Sequence, residues 1–148
     1  MGNCFASKDV VETLDDQCPD LDKCTEFNFK FDEPVWVVKV YDGDTFTIAN
    51  KMGGVWYKFQ VRVNRIDCPE IKSKDSNEKN KATEVRDYVA SLILRKKVLL
   101  KGIQKDKYGR LLSEVFVGDV NLADHLIEKH YAVFYDGGTK AKIDWARY

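Results

Sequence analysis

Val35–Val63 reads VWVVKVYDGDTFTIANKMGGVWYKFQVRV, and the fold turns on how this stretch divides. Val35–Val40 is rich in β-branched residues with one tryptophan, a composition that suits a pleated, half-buried strand. Tyr41-Asp42-Gly43-Asp44 supplies turn chemistry, and Thr45–Ala49 continues as β. Lys51-Met52-Gly53-Gly54 then closes a hairpin into Val55–Val63. Strand side chains alternate, so Val55, Tyr57, Phe59, Val61 and Val63 share one face. Lys58, Gln60, Arg62 and Asn64 share the other, which puts Arg62 on the polar side of the sheet.

Downstream, a polar loop follows Pro69 and leads into a helix predicted over about Lys81–Lys96, with Ala82, Val85, Val89, Leu92 and Ile93 at helical spacing. Arg95, Lys96 and Lys97 suit the negative end of its dipole. Val98–Ile103 and Leu111–Val117 read as two strands joined by the loop Gln104–Arg110. A second helix over about Asn121–Lys129 precedes a short β segment, Ala132–Tyr135, and the turn Asp136-Gly137-Gly138. A third helix, if formed, is confined to Lys140–Tyr148. Three strands, a helix, two strands and a helix predict an α+β, mainly β fold. The expected form is a five-stranded antiparallel OB-type barrel with two to three packed helices.

Upstream, residues 1–32 lack a sustained period and carry eight acids against three bases, a charge of −5. Because the whole chain is neutral, residues 33–148 carry +5. The expected division is an acidic extension over 1–32 and one domain over 33–148. A positive body is compatible with phosphate contacts without demanding them. Phe27, Phe29 and Phe31 alternate, as in a strand docked on the body. With 44% hydrophobic residues, one core is affordable without disulfide staples. No run approaches the about 18 apolar residues of a membrane span. The start also lacks an apolar leader core, so a cytoplasmic location and free thiols are expected.

Three short segments offer charged side chains where a barrel leaves a rim. Asp42-Gly43-Asp44-Thr45 is, alone, a plain turn. Arg62 through Glu70 ends a strand in two carboxylates, Asp67 and Glu70, bent around Pro69. Asp106-Lys107-Tyr108-Gly109-Arg110 is a polar loop with an arginine at its exit. Each is ordinary by itself. Cys18 and Cys24 match no common zinc spacing, and His125 and His130 are one residue too far apart for a helical pair.

Together and in this order, the three segments resemble the signature of the staphylococcal nuclease family: D-G-D-T, then R-x4-D-x-P-E, then D-K-Y-G-R. The resemblance covers residues 35 to about 135. It implies a Ca²⁺ ion held by Asp44, Asp67 and the backbone carbonyl of Cys68, with Asp42 orienting metal-bound water. Oxygen donors of irregular geometry suit that hard ion. It also implies Glu70 as the base toward the attacking water, with Arg62 and Arg110 gripping the phosphate through planar forks that stay charged. Lys107, Tyr108 and Tyr135 correspond to nucleotide-contacting positions. The implied activity is calcium-dependent endonucleolytic hydrolysis of DNA and RNA, mainly single-stranded, leaving 3′-phosphate ends, by a monomer.

Cys68 stands where the family has threonine, which places a thiol near the site and raises the prospect of oxidation sensitivity. The main rival reading is a catalytically inactive nucleic-acid or protein-binding module. Such modules typically lose the carboxylates and arginines retained here. A third reading rests on Met1-Gly2-Asn3-Cys4, where Gly2 suits myristate and Cys4 palmitate, the two-signal pattern of stable peripheral membrane attachment. Ala6 departs from the stricter motif, which has serine or threonine there.

Overall fold

The computed structural model describes Asp22, Cys24 and residues 28–148. Strands β1 (Val35–Val40), β2 (Thr45–Met52) and β3 (Val55–Val63) form an antiparallel meander. A two-residue strand β4 (Ile66–Asp67) follows, then α1 (Ser76–Ile93), β5 (Lys97–Lys105) and β6 (Leu111–Val117). The chain continues through β7 (Val120–Asn121), α2 (Leu122–Glu128) and β8 (Val133–Phe134). β5 pairs with β1 and β6 with β5. The barrel closes through a parallel β3–β6 pairing, Val61 opposite Leu111 to Val63 opposite Ser113. The mainly β, five-stranded barrel with packed helices is therefore present, with one parallel seam where an all-antiparallel barrel was expected.

Inward side chains of the barrel, among them Val37, Phe46, Ile48, Val61, Val63, Val98 and Val115, are essentially sealed from water. One face of α1 (Ala82, Val85, Val89, Ile93) and Leu122 and Leu126 of α2 complete the core. Phe31 is buried, and Phe29 and Phe31 both contact the Phe59 ring, with centroids 5.3 and 5.7 Å away. The aromatic docking expected for this segment occurs without strand pairing across residues 28–34. Phe27 lies outside the described residues.

Several boundaries shift for local reasons. α1 begins at Ser76, upstream of the predicted Lys81, because the Asp75 carboxylate caps it by accepting from the N–H groups of Asn77 and Glu78. It ends before Lys96 because the sheet claims the backbone. Arg95 N–H donates to the Val37 carbonyl and Val37 N–H to the Lys96 carbonyl, both at 2.9 Å, while Arg95 turns into the left-handed region, at φ 59°. Lys140–Tyr148 is not helical, so among the described residues two helices pack on the barrel. Gly53 and Gly54 both have positive φ, 56° and 87°, as a two-residue hairpin turn requires.

The apolar face expected along all of β3 holds only at one end. Phe59 is half-buried and Val61 and Val63 are sealed, but Val55, Trp56 and Tyr57 are exposed. β1 reaches only to Trp36 opposite Ala49, so the tip of the β2–β3 hairpin extends past its neighbour and past the core.

Candidate active site

The turn between β1 and β2 delivers Asp42 and Asp44 to one end of the barrel. Gly43 is needed here for close approach: a Cβ would sit 2.5 Å from Val85 Cγ1 and 2.8 Å from Cys68 Sγ. Gly43→Ala should therefore lower stability by about 1–3 kcal/mol, the usual cost of overpacking. Chemical denaturation with chelator present measures it.

Asp44 is almost fully buried and fixed on several sides. Its Oδ2 accepts from Cys68 N–H at 2.8 Å, its Oδ1 accepts from the Thr45 hydroxyl at 3.0 Å, and its carbonyl accepts from Val63 N–H at 2.8 Å. Arg62, also buried, ion-pairs through Nη1 with Asp44 and hydrogen-bonds through Nη2 to Asp67 Oδ1 at 3.0 Å. Arg62 Nη1 makes no aligned hydrogen bond, so its attachment to Asp44 is by charge alone.

Crowding of acids marks the place chemically. Burial first, and then the charge of Asp44, push the Asp42 carboxyl up to about 7. Asp67 is also raised, by burial first, against the opposing pull of Lys140. A carboxyl with an ordinary value of 3.8 in the unfolded chain and about 7 when folded favours folding fully only below 3.8. That advantage is lost as pH rises through 7. Asp42→Asn should thus raise the Tm of the chelator-treated protein, slightly near pH 4 and most above about pH 7. Thermal melts across that range read it.

Glu70 is exposed and held from two sides. Its N–H donates to Glu78 Oε1 at 3.1 Å, and Glu78 Oε2 accepts from the Ser73 hydroxyl at 2.6 Å, tying the loop to the first turn of α1. Its own Oε1 accepts from Lys140 Nζ at 2.6 Å, and the same ammonium lies 2.9 Å from Asp67 Oδ1. Burial works against the Lys140 charge, but Glu70 and then Asp67 outweigh it, and its pKa is raised.

Opposite them, Arg110 Nε donates to Asp106 Oδ2 at 2.7 Å, while Asp106 Oδ1 accepts from the N–H groups of Tyr108 and Arg110. These bonds outweigh burial and lower the Asp106 carboxyl. The Tyr108 ring is 72% exposed, with Lys107 Nζ 5.1 Å and Arg110 Cζ 5.3 Å from its centroid. Tyr135 is half-buried and spends its hydroxyl on the Gly138 carbonyl, fixing the turn beyond it.

Asp42, Asp44, Arg62, Asp67, Cys68, Glu70, Lys107, Tyr108, Arg110 and Tyr135 all line one cavity of about 410 Å³. Every residue singled out on the three segments is therefore brought together. The chain from Gln60 to Trp145 matches the family model described as "Staphylococcal nuclease homologue", residues 60–145. The chain belongs to the staphylococcal nuclease family. Asp42-Gly43-Asp44-Thr45 lies upstream of the matched span, and it is the folded geometry that joins it to the staphylococcal nuclease segment.

Two curated relatives from Escherichia coli, one of them from strain O157:H7, are named "Uncharacterized endonuclease". Each is 31% identical over 101 residues, covering 68% of this chain and 60% of the relative. A "Probable endonuclease LCL3" from Komagataella phaffii is 23% identical over 132 residues, 73% of this chain and 58% of the relative. The chain thus spans less than two thirds of these relatives' length.

Sequence reasoning missed Lys140, Lys72 and Tyr41, which also line the cavity, and the supporting roles of Glu78 and Asp106. Asp75-x-x-Glu78 was a legible helix-start signal that would have brought Glu78 forward. Cys68 contradicts the expectation of an oxidation-sensitive thiol. Its side chain is buried against Gly43, and burial, then the charge of Asp44, push the thiol well above its ordinary value. His125 is accounted for structurally by a 2.7 Å contact between its Nε2 and the Tyr88 hydroxyl. Gly2 and Cys4 lie outside the described residues.

Proposed function

We propose that the chain is a calcium-dependent endonuclease acting on single-stranded DNA and RNA and leaving 3′-phosphate ends. The observation that carries this reading is the cavity itself, where a carboxylate pair and two guanidinium groups from separate segments face a common space. A binding module has no use for Glu70 and the buried acids in that arrangement, so the enzyme is favoured. Nuclease-named relatives support the same reaction class.

The residues fit a hard cation. The donors are oxygens only, and burial, then the charge of Asp44, push the Asp42 carboxyl up to about 7. Among the described residues no three acidic, cysteine or histidine side chains form a ready-made metal cage. Asp44 and Asp67 would therefore bind Ca²⁺ with the Cys68 carbonyl and water, Asp42 acting on that water. When bound, the ion would supply positive charge beside the phosphodiester and ease deprotonation of water.

The chain's own residues do the rest. Arg62 and Arg110 hold the non-bridging phosphate oxygens as charge grows on them, in a partly dehydrated pocket where such pairing is strong. Glu70 Oε takes the proton of the water whose oxygen bonds to phosphorus. The bond from phosphorus to the 5′ oxygen breaks, that oxygen takes up a proton, and the 3′ side keeps the phosphate. Lys107 and Tyr108 give a cation and an open ring to the flanking nucleotide.

Lys140 is a tethered cation that pairs with Asp67 and Glu70 and would compete with a metal ion for them. Lys140→Met should tighten calcium binding by about 10-fold, equal to about 1.4 kcal/mol, read by calorimetric titration. The function itself is tested on a labelled single strand with calcium against chelator, followed by analysis of which product end keeps the phosphate. Cleavage indifferent to chelation, or a 5′-phosphate product, defeats it.

A further inference from the structure

Beyond Arg62, the outer face of the β1–β2–β3 meander is not used by the reaction above, yet it runs directly into the site. Arg62 is outward on β3, and Gln60, Lys58 and Trp56 follow at alternate positions on the same face. Their cross-strand partners on β2 are Thr45, Thr47, Ala49 and Lys51. Lys39 pairs with Thr47, and Trp36 with Ala49 on one side and Lys97 on the other. No outward position of this meander carries an acid.

Three features make this row more than a solvated surface. A second cavity of about 320 Å³, lined in part by Lys39, Thr47 and Gln60, shares Tyr41, Thr45, Lys72 and Arg110 with the site. Trp36 and Trp56 are 42% and 58% exposed, large apolar areas outside the core of the described residues. Each has a lysine close to its ring: Lys97 Nζ lies 5.4 Å from the Trp36 centroid and Lys51 Nζ 5.9 Å from that of Trp56. A flat ring beside a mobile cation is the pairing that holds a base and its phosphate together.

We propose that this face is a track for the substrate strand outside the cleavage site, with Trp36 and Trp56 stacking bases and Lys39, Lys51, Lys58 and Lys97 pairing phosphates. The inference rests on the nuclease reading for the identity of its occupant. From Arg62 to Trp56 the strand spans about 20 Å, room for several nucleotides and in keeping with the about 4–16 nucleotides covered by OB folds. Stacking and phosphate pairing are indifferent to base identity, so the track should lengthen the grip without adding sequence preference.

The test uses the full chain and a labelled twelve-nucleotide oligothymidylate, with chelator present so that binding is read without hydrolysis. Trp56→Ala, at the exposed hairpin tip, should weaken binding about 10-fold, within the range of losing one stacked base. Lys51→Ala with Lys58→Ala should flatten the dependence of log Kd on log salt by about 1.4, the sum for two phosphate contacts. With calcium, Trp56→Ala should lower the ratio of kcat/KM for the twelve-mer to that for a dinucleotide by a similar factor.

Wild-type affinity in Trp56→Ala, or an unchanged salt slope in the lysine variant, overturns the track even if calcium-dependent cleavage is normal. Trp56-dependent binding without any cleavage would instead keep the track and defeat the nuclease reading. Tryptophan fluorescence that shifts with phosphatidylserine vesicles, but not with the oligonucleotide, would overturn the track in favour of a membrane surface.

Discussion

Arg110→Ala should lower kcat for single-stranded DNA by about 100- to 1000-fold, the range for deleting one preorganised donor to a developing negative charge. The fold should be barely touched. Arg110 is the last residue of the loop before β6, and its side-chain partners are Asp106 and the Tyr108 ring. After truncation Asp106 keeps the two backbone N–H groups of Tyr108 and Arg110, so its charge is not stranded. Arg110→Lys should restore the charge but not the fork, and recover only part of the rate. Turnover and chemical denaturation of the same preparations separate the two roles. Wild-type turnover in Arg110→Ala would mean that the cavity does not grip phosphate as drawn.

This contrast depends on features that differ in how far the sequence exposes them. The barrel was legible because β-branched runs, Gly-Gly and Asp-Gly each have one cheap backbone solution. The three site segments were legible as residue types in order, and the cavity they line contains the nine residues named from them together with Tyr135. Lys140 was not legible, since it lies beyond the Gly137-Gly138 turn in chain with no regular period, and its position follows from packing of the whole terminus. The start of α1 was misplaced because a lysine-rich stretch reads as loop until the Asp75 cap is recognised. Alternation along β3 was read correctly as a period, which by itself carries no statement of burial. Period reports which residues share a face, whereas burial depends on how far β1 extends beside them.

Arg62 is the harder case because structure and chemistry share it. It is the buried cation of two buried or half-buried acids, and one of its nitrogens contributes charge without an aligned hydrogen bond. Removing it leaves Asp44, 5% exposed, without its counter-charge. Breaking a buried pair from one side typically costs about 3–5 kcal/mol. Arg62→Ala should therefore lose stability of that order in chelator, together with nearly all turnover. Calcium should return part of the stability, since a ligand that binds only the folded state stabilises it, while turnover stays lost for want of the fork. Arg62→Lys should recover stability more than rate. Denaturation with and without calcium, set beside single-strand cleavage, reads all of these. If Arg62→Ala unfolds at wild-type denaturant concentration without metal, the acids are not being held by this guanidinium. The electrostatic account of the site would then fail at its centre.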